Sequence, residues 1–402
     1  MMRVPPPIVV EGPYLVSGFS RTSEAPMRQQ LSAYLSEFAG TAIMMAIGVA
    51  AIAMFWAPDS PLPRIEIERL RLLATGLVFA GGATMVVYSP LGRTSGGHLN
   101  PAVTCAFWRL KRIGTRDAAV YVTAQTLGAI AGVAVAQFAA GDLASAVELG
   151  MTRPGMGVST LAACVFEVLI AFALMFLILT CLNRPRLAPR TGILAGLLVA
   201  TLVTIEAPLT GTSLNPARSF APALLMQHLD GVWIYIVAPT IGAVAAAMAW
   251  RGRLGARQSL ICAKLYHAGA SPCQFATCPY VTLRRGEVII RQNDRGDTAY
   301  VIEAGEVEVR RSGDDPARGE DQRDVLLGRL GPGDWFGEMS VLLGEPRSAT
   351  VVALTDGRVR RLTREAFEQA LADDPAHALA LMRQLAARLR ETDRRLAAPL
   401  AP

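Results

Sequence analysis

The tripeptide Asn-Pro-Ala occurs twice in the chain, beginning at Asn100 and at Asn215. An asparagine followed by a proline is typical of a helix start, because the side chain caps free N–H groups and proline needs none at the first helical position. Each copy lies beside apolar runs long enough to cross a bilayer. The two helix N-termini, each carrying about half a positive charge, would present the asparagine amides as hydrogen-bond donors to a passing solute.

Two such half-length helices among membrane spans are expected of an inverted-repeat channel or transporter. Their positive ends and the adjacent Arg218 would oppose cations, hydronium included, while neutral hydrogen-bonding molecules pass. The sequence contains no nucleotide-hydrolysis motif and no nucleophile–base arrangement, so it predicts passive conduction and no enzymatic activity. No basic stripe interleaved with aromatic residues occurs, which argues against nucleic acid as a partner.

The elements that must position these half-helices are six apolar runs, each near the length that a bilayer requires, in a chain that is 52% hydrophobic. Three spans in each repeat invert the second copy, so the half-helices enter from opposite faces and both termini share one side. Arginine-rich loops on that side predict that it is the cytoplasm. The spans are predicted at 32–56, 70–88, 117–140, 158–182, 191–208 and 232–250, and the half-helices at 100–110 and 215–227.

The surroundings of the two boxes, Gly96–Thr104 and Gly211–Phe220, resemble the aquaporin (major intrinsic protein) family. The resemblance implies an integral inner-membrane protein, a homotetramer with one pore in each subunit, and water or small neutral solutes as cargo. It also implies roles for three polar residues inside the spans. Glu37 and Glu167, at matching positions of the two repeats, would accept hydrogen bonds from the loops, and Gln125 would support them.

The narrowest point of this family is built from four positions, and counting from the two boxes places them at Ala80, Val203, Thr212 and Arg218. On this count the aromatic residue of the second span is missing, and a shift of one residue in the register would restore it as Phe79. With Ala80, the constriction is wider and less polar than a strict water filter. We therefore expect water together with small uncharged solutes, such as glycerol and other polyols, urea, peroxide or metalloid hydroxides.

The linker between the apolar part and the rest of the chain contains Cys262, His267, Cys273 and Cys278. In the cytoplasm, where structural disulfides are disfavoured, three thiols and one imidazole could supply a tetrahedral zinc site. The spacing lacks a Cys-x-x-Cys pair, so scattered thiols in a linker are the alternative interpretation.

Beyond residue 280 the pattern changes to short alternating runs punctuated by glycine, which predicts a soluble β-barrel or jelly roll with flanking helices. The charged segment Gly313–Arg323 is predicted to be an exposed hairpin loop. Apolar residues from Leu381 to Leu396 recur at helical spacing and predict a final amphipathic helix. No room is left after this helix for a helix-turn-helix, so a transcription factor is not expected.

The stretch from Phe336 to Val351 resembles the phosphate-binding cassette of cyclic nucleotide-binding domains. The resemblance implies that Arg347 pairs with the exocyclic oxygens of a cyclic phosphate and that Glu338 accepts from the ribose 2′-hydroxyl. Ser348 leaves cAMP and cGMP both open as the ligand. A surface Arg–Glu pair on a barrel that has lost its ligand is the alternative. The whole predicted nucleotide site is Gly337, Glu338, Met339, Ser340, Arg347 and Ser348.

The sequence thus predicts a cytoplasmic tail (1–30), a channel (31–250), the linker (251–280) and a cyclic nucleotide-binding domain (281–402). We expect a passive channel that is regulated by cyclic nucleotide binding. One alternative is a constitutive pore whose barrel is a degenerate assembly or partner-docking module. Another is a membrane receptor that has lost conduction.

Overall fold

Six helices in the part of the chain that is described are long and apolar enough to cross a membrane. The computed structural model describes residues 27–184, 187–254, 262–266, 280–312, 325–373 and 375–397. The helices up to residue 254 are α1 (Met27–Trp56), α2 (Glu68–Tyr88), α3 (Pro90–Ser95), α4 (Pro101–Arg109), α5 (Thr115–Ala140), α6 (Asp142–Ala146), α7 (Thr160–Leu182), α8 (Thr191–Thr210), α9 (Pro216–Leu225) and α10 (Val232–Leu254). The spans are α1, α2, α5, α7, α8 and α10, so the predicted membrane fold is confirmed.

The two half-helices, α4 and α9, begin at the Asn-Pro-Ala boxes. Asn100 Oδ1 accepts from Ala102 N at 2.8 Å, and Asn215 Oδ1 accepts from Ala217 N at 3.1 Å. The helices contain 9 and 10 residues. At 1.5 Å per residue each is about 15 Å long, half the thickness of a hydrocarbon core. Two such helices that enter from opposite faces therefore meet near the middle of a membrane.

Glycines allow the spans of each repeat to pack closely. A Cβ atom on Gly128 of α5 would lie 2.2 Å from the carbonyl oxygen of Phe38 in α1. The corresponding contact of the second repeat is made by Gly242 of α10, where a Cβ atom would lie 2.2 Å from the carbonyl oxygen of Val168 in α7. The same helix pair in each repeat is thus held at backbone contact, as small residues allow in membranes.

The soluble part contains two four-stranded antiparallel sheets, ordered β1-β8-β3-β6 and β2-β7-β4-β5. Leu283, Ile302, Phe336 and Val359 fill the space between them. The predicted jelly roll with flanking helices is confirmed, while the predicted loop Gly313–Arg323 lies outside the described residues. The strands and helices of the soluble part are β1 (Tyr280–Leu283), β2 (Val288–Ile290), β3 (Thr298–Ala304), β4 (Val307–Arg311), β5 (Val325–Leu330), β6 (Trp335–Phe336), α11 (Glu338–Leu343), β7 (Thr350–Ala353), β8 (Gly357–Thr363), α12 (Arg364–Asp373) and α13 (Pro375–Ala397).

Gly128→Ala is expected to lower the melting temperature of the detergent-solubilised protein, because the new methyl group would overlap a backbone oxygen of α1. Overpacking of this kind costs about 1–3 kcal/mol. Gly81→Ala in α2 is the matched control, since a Cβ atom there meets nothing within 4 Å. Size-exclusion profiles recorded after heating would measure both variants, and equal melting temperatures would contradict the packing argument.

Candidate functional site

A cavity of about 480 Å³ lies among the helices of the channel part of the chain. Asn100 and Asn215 both line it, as do the four residues that the sequence assigned to the constriction. The wall between these polar points is mostly apolar, which is typical of a site that holds small molecules with only a few fixed hydrogen bonds. The lining of the cavity also includes Phe79, Ala80, His98, Val203, Thr212, Arg218 and Leu265.

The two boxes are joined by a reciprocal pair of hydrogen bonds. Asn100 Nδ2 donates to the carbonyl oxygen of Leu214 at 2.9 Å, and Asn215 Nδ2 donates to that of Leu99 at 2.8 Å. Each amide group has a second N–H, which is available to a solute oxygen in the cavity. Sequence reasoning named both asparagines, and the structure brings them together at the junction of the half-helices.

A buried carboxylate holds each loop in place. Glu37 accepts from the N–H groups of His98 at 3.0 Å and Leu99 at 2.8 Å. Glu167 accepts in the same way from Ser213 at 2.8 Å and Leu214 at 3.0 Å. Both glutamates are fully buried. Each therefore satisfies two backbone donors that water could not reach.

The residue before each asparagine has a left-handed backbone. Leu99 has φ of 53° and Leu214 has φ of 59°. A non-glycine residue in this region costs about 1–3 kcal/mol, and it persists only where the surroundings enforce it. Here the glutamate fixes the N–H and the facing asparagine fixes the carbonyl oxygen, so each strained residue is held on both sides.

Further polar side chains brace the first loop. Gln125 Nε2 donates to Glu37 at 2.7 Å and to Thr104 Oγ1 at 2.9 Å. The His98 ring is buried against Phe107 at 4.9 Å between ring centroids, and its Nδ1 lies 3.0 Å from Thr104 Oγ1. Sequence reasoning assigned Gln125 to this network but gave His98 no role, although His98 stands two residues before Asn100.

Beyond the two asparagines, the cavity is lined by Arg218 and by an aromatic ring. Arg218 Nη1 donates to the carbonyl oxygen of Gly150 at 2.7 Å, and its Cζ lies 5.8 Å from the centre of the Phe79 ring. Ala80 lines the same cavity, together with Val203. Phe79, one residue before the counted position, thus places an aromatic ring beside the arginine. The assignment of the constriction by counting stays a prediction.

Sequence reasoning missed Glu206, a buried residue that contacts the cavity-lining Thr212. Its carboxylate is buried, and it accepts from Thr212 Oγ1 at 2.6 Å and from the hydroxyl of Thr210. This residue lies inside the fifth span, where an ionisable side chain is rarely kept without a partner. That rule, already applied to Glu37 and Glu167, would have identified it. Because the Thr212 hydroxyl donates its hydrogen bond to Glu206, the Thr212 oxygen can accept a hydrogen bond from a solute.

The nucleotide cassette brings Arg347 and Glu338 to the same small cavity. Gly337 has φ of 75°, and a Cβ atom there would lie 2.9 Å from Arg347 Nη1, so only glycine leaves room for the guanidinium. Arg347 donates to the carbonyl oxygen of Gly337 at 2.8 Å and to Thr298 Oγ1 at 3.0 Å. Burial lowers the pKa of the Arg347 guanidinium, an effect that Tyr300 partly opposes. An anionic ligand would offset the effect of burial, because a nearby negative charge favours the charged guanidinium.

The cavity at the cassette is closed by the last helix. Arg388 of α13 donates to Glu338 Oε1 at 2.6 Å and to the carbonyl oxygen of Trp335 at 2.8 Å. Arg388 belongs to the predicted amphipathic helix, but its partner could not be foreseen. The remaining cavity is about 60 Å³, well below the roughly 300–1,000 Å³ of ligand pockets. Its lining includes Gly337, Glu338, Met339, Ser340, Arg347 and Ser348, the six predicted residues.

One buried polar atom of this cavity could bind a ligand oxygen. Ser340 is 2% exposed, and its Oγ has no hydrogen-bond partner among the residues that the structure describes. A buried hydroxyl without a partner costs free energy that a ligand oxygen would recover. The donor set of Arg347 and Ser340 beside the acceptor Glu338 therefore suits a phosphate joined to a sugar.

The predicted zinc site falls mostly outside the described residues. Cys262 is buried against the channel core, whereas His267, Cys273 and Cys278 lie outside the described residues. Within the described ranges no group of three or more His, Cys, Asp and Glu residues could hold a metal ion. The site stays a prediction.

Comparison with known proteins assigns both parts of the chain. Residues 24–250 match the family described as major intrinsic protein, and residues 280–374 match the cyclic nucleotide-binding domain. The glycerol uptake facilitator protein-like 6 of Lactiplantibacillus plantarum is 38% identical over 223 residues, which cover 54% of this chain and 96% of that protein. Aquaporin AqpM of Methanothermobacter marburgensis is 36% identical over 235 residues, which cover 54% of this chain and 95% of that protein.

Among solved structures, the aquaglyceroporin from Plasmodium falciparum shares 22% identity with a TM-score of 0.48, and the match covers 55% of this chain and 95% of that one.

Glu37→Gln is expected to destabilise the channel and to reduce its permeability. A side-chain NH₂ in place of one carboxylate oxygen would face the donors of either His98 or of Leu99 and Gln125. Each buried donor left unpaired costs about 1–3 kcal/mol. Glu66→Gln, at an exposed position, is the control. Melting temperature and water permeability per inserted protein would be measured, and a Glu37→Gln protein that matches the control in both would show that the loop does not need its carboxylate.

Proposed function

The chain belongs to the major intrinsic protein family, and from that premise we propose that it is a passive channel for water and small uncharged solutes whose conduction responds to a cyclic nucleotide. One observation carries the channel proposal. Two half-helices meet with Asn100 and Asn215 donating to each other's loops, inside a cavity that Arg218 also lines. No redox or hydrolytic step is required, and members of this family are channels rather than enzymes.

The electrostatics of the junction support exclusion of protons. The N-termini of α4 and α9 each carry about half a positive charge, and they face the same point of the cavity. Arg218 adds a full charge further along the path. A neutral molecule is oriented by these groups through its oxygen atoms, whereas hydronium is repelled by all three.

The constriction supports a small polyol as a second solute beside water. Phe79 and Val203 provide apolar wall, while Arg218 donates and the Thr212 oxygen accepts. A polyol presents a carbon backbone on one side and hydroxyl groups on the other, which suits this division. A curated relative bears the name of a glycerol uptake facilitator. We therefore propose glycerol among the solutes.

The nucleotide part of the proposal rests on the cassette. Arg347 and Ser340 would bind the cyclic phosphate, and Glu338 would accept from the ribose hydroxyl once Arg388 has released it. The ligand is cAMP or cGMP. A second candidate function, a constitutive pore with a barrel that no longer binds nucleotide, is favoured by the internal hydrogen bonds of Arg347, since these already use its guanidinium.

The location that we propose is the inner cell membrane, with both termini and the barrel in the cytoplasm. Arg109, Lys111 and Arg112 lie between α2 and α5, Arg116 lies in the first turn of α5, and Arg251 lies near the end of α10, all on the side shared by the termini. This distribution follows the positive-inside rule. We propose a homotetramer with one pore in each subunit, as the family implies, and no nucleic acid partner.

Reconstituted protein is expected to carry water and glycerol but no proton current, measured by light scattering and by a pH-sensitive dye with and without internal cAMP or cGMP. Phe79→Ala should raise the flux of a five-carbon polyol relative to glycerol, because it removes the ring beside Arg218. Phe138→Ala is the matched control, since Phe138 is 93% exposed on α5. A steady proton current, or absence of flux in every state, would contradict the channel proposal.

Isothermal titration of the full chain with cAMP and cGMP is expected to show binding of at least one of them. Arg347→Ala should weaken it by about tenfold to a hundredfold, which corresponds to the loss of charge-assisted hydrogen bonds. Arg361→Ala, at an exposed position of β8, should bind as the parent does. No binding by the parent protein would favour the degenerate barrel, and equal binding by Arg347→Ala would contradict the role of that arginine.

A further inference from the structure

Five residues that belong to neither the membrane helices nor the barrel are packed into one mouth of the pore. The segment Cys262–Tyr266 has no helix or strand, and Ala263, Lys264 and Leu265 are 0%, 3% and 5% exposed. Connecting segments normally run over the surface, because their backbone groups need water. Burial of this extent therefore calls for specific partners in the channel.

The loop that precedes Asn100 supplies those partners. Leu265 N donates to the carbonyl oxygen of Gly96 at 2.9 Å, and His98 Nε2 lies 2.6 Å from the carbonyl oxygen of Ala263. Since a carbonyl oxygen can only accept, the imidazole must donate from Nε2. Both groups that receive the segment belong to the stretch that Glu37 holds from its other side.

Two further contacts hold the segment, one at its middle residue and one at its last. Lys264 Nζ donates to the carbonyl oxygen of Arg93 at 2.7 Å. The Tyr266 ring lies 4.6 Å from the ring of Tyr88, between centroids. The segment thus has a polar anchor on α3 and an aromatic anchor at the end of α2.

The channel surface is shaped to receive this segment. Gly96 has φ of +103°, and a Cβ atom on it would lie 3.2 Å from the carbonyl oxygen of Ala263 and from the Cα atom of Lys264. A side chain at position 96 would therefore press against the segment. The absence of one lets the backbone of the segment lie directly on the loop.

Leu265 reaches the solute path. Its side chain lines the same cavity as His98 and Asn100. An apolar side chain at a narrow point interrupts the chain of hydrogen bonds that water or a polyol requires, and hydrophobic constrictions close pores in this way.

We propose that the mouth formed by Arg93, Gly96 and His98 is a binding site for the segment Cys262–Tyr266 of the same chain, and that the docked segment closes the pore with Leu265. The proposal rests on the proposed channel function. It also gives the linker a role that its sequence did not indicate.

The start of the barrel packs on the same hydrophobic core as the docked segment. Tyr280, the first residue of β1, packs on the same core cluster that contains Cys262, Ala263 and Leu265. The Arg358 guanidinium of β8 lies 5.2 Å from the centre of the Tyr280 ring. A displacement of β1 would therefore disturb the surface on which the segment lies.

The test compares four full-length proteins in vesicles, with water permeability measured by stopped-flow light scattering and normalised to the amount of inserted protein. They are the parent, Leu265→Ala, a protein in which residues 262–266 are replaced by five glycine and serine residues, and Leu327→Ala. The last is the matched control, because Leu327 is 43% exposed on β5. The replacement keeps the length of the chain and does not depend on the folding of a single point variant.

We expect Leu265→Ala and the replaced segment to conduct water severalfold faster than the parent, with Leu327→Ala equal to the parent. If all four proteins conduct equally well, the docking proposal is overturned and the channel function stands. If none conducts, the replaced segment included, both fail together, because removal of the obstruction has not revealed a pore.

Discussion

A chain that turns back in the middle of a membrane leaves backbone N–H groups where no water reaches them, and this constraint governs the rest of the structure. Every such donor needs an internal partner. Glu37 and Glu167 provide two acceptors each, at equivalent places of the two repeats. The helices that carry them, α1 and α7, must therefore lie against the two loops, and Gly128 and Gly242 let α5 and α10 pack directly against these helices.

The same constraint explains why much of this part could be predicted. Hydrophobic runs and two capped boxes are local signals, so the spans, the half-helices and the buried glutamates follow from residue types alone. The position of Phe79 does not, because a count from Asn100 must pass through α3 and its loop, whose length no periodicity fixes. Glu206 could have been predicted by the same reasoning as Glu37, because it is an ionisable residue inside a span.

Contacts between distant parts of the chain could not be predicted. The pattern of α13 identifies an amphipathic helix, but the partner of Arg388 depends on how that helix lies across the barrel. The segment Cys262–Tyr266 has no periodic pattern, and the sequence indicated a role only for the thiol of Cys262. Its burial depends on a glycine and a histidine that are 165 or more residues away in sequence, as the His98–Ala263 contact shows.

The conformation of the nucleotide site determines how a ligand there could act on the pore. A cavity of about 60 Å³ cannot hold a cyclic nucleotide, so a ligand that binds the cassette must prefer an arrangement in which Arg388 has left Glu338. Such a preference is the differential affinity that any ligand needs to shift an equilibrium. The conductance of the pore will change only if that shift moves Tyr280, because this residue joins the barrel to the cluster that includes the docked segment. Coupling in the proposed channel therefore depends on the stiffness of the path from α13 through the sheet β1-β8-β3-β6, in which β6 contacts Arg388 and Tyr280 of β1 packs on the core cluster of the channel.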